Sequence, residues 1–191
     1  MNLTAVLLAG GESRRMGQDK ATLIFRGAPL WERQLGILRE LQPEKILVSA
    51  RQNPVWRPPE IELLLDEPPS RGPLSGLTRA LERMETTHLM ALAIDMPFMT
   101  SEQLRFISSL ATIGCGVLPM IGDRAEPLAG VYPREAGGDF LAALAGDNLS
   151  LQPLSRSLVH AGKLRSFAVS QGDEQLYRNV NEPEDFKEGR F

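Results

Sequence analysis

Leu3-Thr4-Ala5-Val6-Leu7-Leu8-Ala9 runs directly into Gly10-Gly11-Glu12-Ser13-Arg14-Arg15-Met16-Gly17-Gln18-Asp19-Lys20. The first seven residues are almost continuously apolar, as in a strand buried on both faces rather than one alternating between core and water. Glycines then allow the backbone to approach a ligand, and Arg14, Arg15 and Lys20 supply three cations. A polyphosphate requires that combination: several N–H groups turned toward one anion, and cations to neutralise charge that builds up during phosphoryl or nucleotidyl transfer. Spacing alone leaves a second reading open, a strand-to-helix connection with solvated arginines. No G-x-x-x-x-G-K-[ST] occurs in the chain, and Gly10-Gly11-Glu12 does not give G-x-G-x-x-G, which argues against a P-loop NTPase and the dinucleotide fingerprint.

Outward from this stretch, Leu30, Leu35, Leu38 and Leu41 recur at helical spacing over residues 29–41, and Pro43 ends the run. Short apolar runs at 46–48 and 61–65 finish in Ser49 and Asp66. Residues 73–84 are amphipathic, with Pro73 tolerated in a first helical turn. A strand at 89–94 ends in Asp95-Met96-Pro97, and Thr100-Ser101 cap a helix to about Leu110. Strands are expected at 116–120, 128–132 and 164–169, helices at 139–144 and 151–160, and a local antiparallel hairpin around Gly122-Asp123-Arg124. Strands alternating with helices predict an α/β protein of three layers around a mostly parallel sheet with a small antiparallel element.

With 191 residues, 42% of them hydrophobic, the chain suffices for one core, so residues 1–191 are read as a single domain with a charged tail from Glu182. Lys and Arg total 21 against 24 acidic residues, a net charge of -3, which excludes a global basic field for nucleic acid or anionic lipid. One cysteine, Cys115, excludes an internal disulfide framework or a multi-cysteine metal site and fits a reducing compartment. It reads as a small buried side chain rather than a nucleophile. No apolar run reaches the roughly 18 residues of a membrane span. The expectation is a soluble, cytoplasmic protein, with the first apolar run a strand and not a leader.

The early strands end in the chain's most unusual polar residues: Gly10-Gly11, Ser49, Asp66 and Asp95. In an open parallel sheet those ends share one edge, and ligands bind in the crevice along it. Asp95 would offer Mg2+ on a triphosphate a hard oxygen, or else cap a helix. Asp66 is either a ligand contact or a turn residue before Glu67-Pro68-Pro69. Arg71-Gly72-Pro73-Leu74-Ser75-Gly76-Leu77 places two glycines around a helix start, which suits close approach by a nucleotide. His88 and His160 fall away from all these segments and are assigned no chemistry.

Leu8-Ala9-Gly10-Gly11 through Arg15-Met16-Gly17 to Asp19-Lys20 resembles the opening signature of the molybdenum cofactor guanylyltransferases. The resemblance continues in order through Pro29-Leu30, Asp66, Gly72-Pro73-Leu74-Ser75-Gly76, Asp95-Met96-Pro97, Pro127-Leu128-Ala129 and Asn179-Val180-Asn181 with Pro183-Glu184. It implies a Rossmann-like nucleotide-diphospho-sugar transferase fold that joins GMP from GTP to the terminal phosphate of molybdenum-molybdopterin, with Mg2+ as cofactor and pyrophosphate released. It further implies an N-terminal half for GTP (Leu8, Ala9, Gly10, Gly11, Lys20, Ser49, Asp66, Gly72 and Asp95) and a C-terminal half for the pterin (Asn179 and Asn181). Asp95, Lys20 and Arg15 would be catalytic, with Asp95 the metal ligand. Family members often carry Asn where this chain has Ser49, whose hydroxyl reaches less far than an amide. Contacts with a molybdoenzyme or chaperone are implied, but none with nucleic acid or membrane. Two alternatives accompany this reading: a relative of the same fold using CTP or a sugar-phosphate acceptor, and a non-catalytic module that binds nucleotide and pterin and delivers the cofactor.

Overall fold

The apolar run at the start of the chain becomes β1 (Leu3–Leu8), at the centre of the sheet. The computed structural model describes residues 2–10, 19–66 and 71–180, and the structural statements that follow concern these. β1 pairs in parallel with β4 (Lys45–Ala50) on one side and with β6 (His88–Ala93) on the other, and β4 pairs in parallel with β5 (Glu62–Leu65). Beyond β6 come β9 (Val131–Pro133), β7 (Gly116–Ile121) and β10 (Leu164–Ala168), so the sheet runs β10-β7-β9-β6-β1-β4-β5. β8 (Arg124–Ala125) hangs on β7 as the expected antiparallel hairpin.

Both faces of β1 are covered, as its unbroken apolar sequence requires. Ala5 and Leu7 pack with Leu35 and Leu38 of α1 (Leu30–Glu40) and Leu104 and Ile107 of α3 (Ser101–Ser109). Val6 and Leu8 face the opposite layer, against Leu74 and Leu77 of α2 (Pro73–Arg83), Phe140 of α4 (Gly137–Ala145) and Leu158 of α5 (Leu151–His160). Thr100 caps α3 as expected, its side chain accepting a hydrogen bond from the Gln103 N–H.

Four details depart from the sequence reading. The strand expected at 128–132 begins only at Val131, because Pro127 to Ala129 form a 3₁₀ turn closed by the Ala129 N–H donating to the Glu126 carbonyl (3.2 Å). β9 also runs antiparallel to both β6 and β7, since no α-helix lies between β7 and β9 to carry the chain back across the sheet. Ile24–Phe25 (β2) and Ala28–Pro29 (β3) form a separate hairpin whose tight turn places Arg26 and Gly27 at φ 50° and 86°. Cys115 is half-buried rather than buried, in a bridge to Thr112. His88 is fully buried at the start of β6, its ring nitrogens 3.0 Å from Thr87 Oγ1 and from the Thr112 carbonyl.

Helix α1 fastens the turn that leaves β6. Buried Gln34 donates from Nε2 to the carbonyls of Met96 (2.7 Å) and Ala93 (3.3 Å), and Arg33 donates from Nε to that of Pro97 (2.8 Å). Replacing the amide with an isosteric hydrocarbon strands two carbonyls. Gln34→Leu is therefore expected to cost about 2 kcal/mol and lower Tm by roughly 4–8 °C in thermal unfolding; an unchanged Tm would show that water replaces the amide.

Candidate functional site

Backbone hydrogen bonds continue past the strand ends and gather the polar residues there. The Ala9 N–H donates to the Ser49 carbonyl (2.8 Å), the Asp66 N–H to that of Ala50 (2.9 Å), and the Ile94 N–H to that of Leu8 (3.0 Å). Around the crevice so formed lies a cavity of about 200 Å3 lined by Leu8, Ala9, Gly10, Lys20, Ser49, Asp66, Gly72 and Asp95, with Asp19, Arg51, Pro73, Ala93, Ile94 and Leu128 completing the wall. Eight expected site residues thus meet in one place. Gly11, Arg15 and Asn181 lie outside the described residues. Asn179 is exposed and does not line the cavity, although its neighbour Val180 reaches the cavity's polar pair.

Two glycines are dictated by close approach. A Cβ on Gly10 would stand 2.9 Å from Asp66 Oδ2, so the carboxylate after β5 lies against the backbone that leaves β1, and a side chain at residue 10 would displace it. A Cβ on Gly76 would fall 2.4 Å from Ser49 Oγ and 2.9 Å from Leu8 Cδ2, so α2 lies directly on the ends of β1 and β4. That contact brings the first turn of α2 to the cavity wall at Gly72 and Pro73, with Gly72 at φ 66°. A helix N-terminus placed there favours an anion. Arg71 secures the same corner by donating to the carbonyls of Leu144 and Gly146 at the end of α4.

Lys20 opens a short 3₁₀ turn capped by Asp19, whose Oδ1 accepts from the Ala21 N–H (3.0 Å). The other oxygen accepts from the Trp56 indole N–H (2.8 Å), and Trp56 stacks on Trp31 of α1 with ring centroids 5.8 Å apart. The Lys20 ammonium then stands 3.7 Å from Asp95 Oδ2 and 3.5 Å from the Val180 carbonyl. Burial pushes the Asp95 carboxyl above its ordinary range, against the opposing pull of the Lys20 charge.

The donor set fits a hard divalent cation held jointly with a ligand. Among the described residues no group of three or more His, Cys, Asp or Glu side chains forms a protein-only cage. Mg2+ commonly binds through one or two carboxylates together with substrate phosphates, and Asp95 offers such a carboxylate at the cavity wall.

Arg51 and Leu128 escaped the sequence reading. Arg51 had a signal, since it lies two residues beyond Ser49 and period two returns a side chain to the same side. Leu128 was marked only as part of the Pro127-Leu128-Ala129 stretch of the resemblance, and the antiparallel course of β9 is what carries its preceding turn to this edge.

Residues 5–166 match the MobA-like NTP transferase domain family. The chain is 33% identical to a probable molybdenum cofactor guanylyltransferase of Opitutus terrae over 186 residues, covering 96% of this chain and 92% of that protein. It is 30% identical to the molybdenum cofactor guanylyltransferase of Xanthomonas euvesicatoria, covering 95% and 90%. Among solved structures, the molybdopterin-guanine dinucleotide biosynthesis protein A of Archaeoglobus fulgidus superposes with a TM-score of 0.71 at 20% identity, covering 96% of this chain and 95% of that one.

The raised Asp95 carboxyl has a thermodynamic sign. Folding favours its protonated form, so ionising it costs stability, a cost absent below the unfolded value of 3.8 and present once pH exceeds the raised folded one. Asp95→Asn is therefore expected to raise the Tm of the metal-free protein at pH 7, with the gain disappearing as the pH falls below about 3.8. A variant less stable than wild type at pH 7 would show that the Lys20 attraction outweighs the desolvation.

Proposed function

The chain belongs to the MobA-like NTP transferase family, and on that premise we propose that it transfers GMP from GTP to the terminal phosphate of molybdenum-molybdopterin, releasing pyrophosphate. The observation that carries this reading is the meeting of Gly10, Lys20, Asp66 and Asp95 around one cavity at the strand ends, in a chain similar throughout its length to proteins named guanylyltransferases. Those names do not favour the cytidylyl, sugar-phosphate or delivery-module alternatives.

Residues 1–191 are read as one nucleotidyltransferase domain, with the N-terminal half binding GTP and the C-terminal half binding the pterin. Leu8, Ala9, Gly10 and Gly11 bring backbone against the nucleotide, Gly72 brings the start of α2, and Ser49 and Asp66 face the nucleoside. Asn179 and Asn181 serve the pterin side. The acceptor is a phosphate monoester whose second pKa is near 6, so at neutral pH it is largely dianionic and needs no general base. This agrees with a cavity wall that includes no histidine among the described residues.

One acceptor oxygen attacks the α-phosphorus in line, a new P–O bond forms, and the bond to the β-phosphate oxygen breaks with its electron pair leaving on pyrophosphate. Lys20 and Arg15 neutralise charge that moves onto the leaving group and hold two mutually repelling anions together. Asp95 would hold Mg2+, which when bound supplies charge stabilisation on the phosphates. The net charge of -3 supports a small-molecule substrate over nucleic acid, and no described helix is long and apolar enough to cross a membrane. A cytoplasmic setting and hand-over of the product to a molybdoenzyme or chaperone complete the reading.

The test is pyrophosphate release by the purified protein with Mg2+ and molybdenum-molybdopterin, offering GTP, CTP, ATP and UTP in parallel. Release confined to GTP and dependent on the pterin is expected, and turnover with CTP instead would overturn the guanylyl assignment. Lys20→Ala and Asp95→Ala should each lower kcat by about a hundredfold or more while leaving the circular dichroism spectrum unchanged. Near-normal turnover in either would remove that residue from the mechanism.

A further inference from the structure

Residues beyond β10 take an unusual course. β10 is an edge strand, with β7 and β9 between it and β6, yet the chain that leaves it comes back to the turn after β6. It departs with the Val169 N–H donating to the Met120 carbonyl (2.8 Å), forms a 3₁₀ turn over Glu174–Tyr177, and arrives with the Val180 N–H donating to the Asp95 carbonyl (2.8 Å). Tyr177 and Val180 are 3% and 1% exposed, whereas Arg178 and Asn179 between them face solvent. Buried Gln103 of α3 donates from Nε2 to the Tyr177 hydroxyl (2.9 Å).

The two backbone groups of Val180 thus engage both members of the cavity's ion pair. Its N–H donates to the main-chain carbonyl of Asp95, and its own carbonyl lies 3.5 Å from the ammonium of Lys20, which stands 3.7 Å from the Asp95 carboxylate. A polyphosphate that fixes Lys20 therefore also fixes a donor to the Val180 carbonyl. Shifting the segment would in turn move Asn179 and the partner of Lys20 together.

We propose that residues 169–180 form a tether that couples the nucleotide side of the site to the acceptor side, with Tyr177 the positioning residue that sets its register through Gln103. This rests on the guanylyltransferase reading for the identity of the acceptor, but the coupling itself rests on the hydrogen bonds of Val180. Neither Tyr177 nor Gln103 lines the cavity, so any effect of theirs on turnover passes through the tether.

Tyr177→Phe, Gln103→Leu and the double variant separate this role from packing. The net worth of one hydrogen bond predicts that the KM for molybdenum-molybdopterin rises roughly three- to tenfold in each single variant, while the Kd for GTP stays within about twofold. The double variant should be no worse than either single one, because both partners of the same bond are gone. Amide hydrogen exchange at Val180 should be faster in Tyr177→Phe, and in the wild type slower when magnesium pyrophosphate is bound. An unchanged KM with wild-type exchange overturns the proposal, as does a lowered Tm with equal weakening of GTP and pterin. If the wild-type protein releases no pyrophosphate, the guanylyl reading fails alone and exchange decides the tether. Protection of Val180 that answers to pyrophosphate and falls in Tyr177→Phe upholds it, and protection indifferent to both overturns it.

Discussion

Everything at the site depends on β1 being buried on both faces while its end stays open. Val6 and Leu8 must satisfy one helical layer and Ala5 and Leu7 the other, which places the strand in the middle of the sheet with β4 and β6 as neighbours. Once that is settled, the ends of three parallel strands are adjacent. Ser49 and the residues leaving β1 and β6 have no choice but to share a crevice. Hydrogen bonding continues through Ala9 and Ile94 after the strand proper has stopped, so the crevice is floored by backbone held at both sides.

Putting polar groups there is costly, and the surrounding elements offset the cost. Partial burial pushes the Asp95 carboxyl above its ordinary range, and the residue is held by Lys20, by α1 through Gln34 gripping the adjoining carbonyls, and by the Val180 amide. Lys20 is placed by a cap whose second oxygen is bonded to Trp56, itself stacked on Trp31. Rigid aromatic and amide side chains on one helix therefore position both charges of the pair. Such support suits chemistry in which the protein orients phosphates and moves no proton.

How far the sequence could be read depended on the range of the interaction. The parallel half was legible because each strand is an apolar run followed by a polar punctuation mark, and the two residue patterns coincide with β1, β4, β5 and β6 to within a residue or two. Gly10, Ser49, Asp66 and Asp95 followed from where those runs stop, and Lys20 from the cations of the glycine-rich stretch. The antiparallel insertion of β9 was not legible, since its short apolar segment carries no sign of direction, and the 3₁₀ turn that delivers Leu128 depends on Pro127 within tertiary context. The Val180 contacts join residues 85 and 160 positions apart through the main chain of Val180, which leaves no trace in residue identity. For the same reason Asn179 could be singled out by resemblance while the path that brings it near the cavity could not.

The sheet order also sets the timetable on which a nascent chain can mature. β1 is made before either of its neighbours in the sheet, since its Leu3 partner is His88 and β4 begins only at Lys45, and the edge strand β10 is not made until residues 164–168. Through that interval the most apolar segment of the protein presents an unpaired edge, with β4 available to cover only one side. Productive folding therefore competes with association between neighbouring chains on a polysome, and the competition eases when β6 is released.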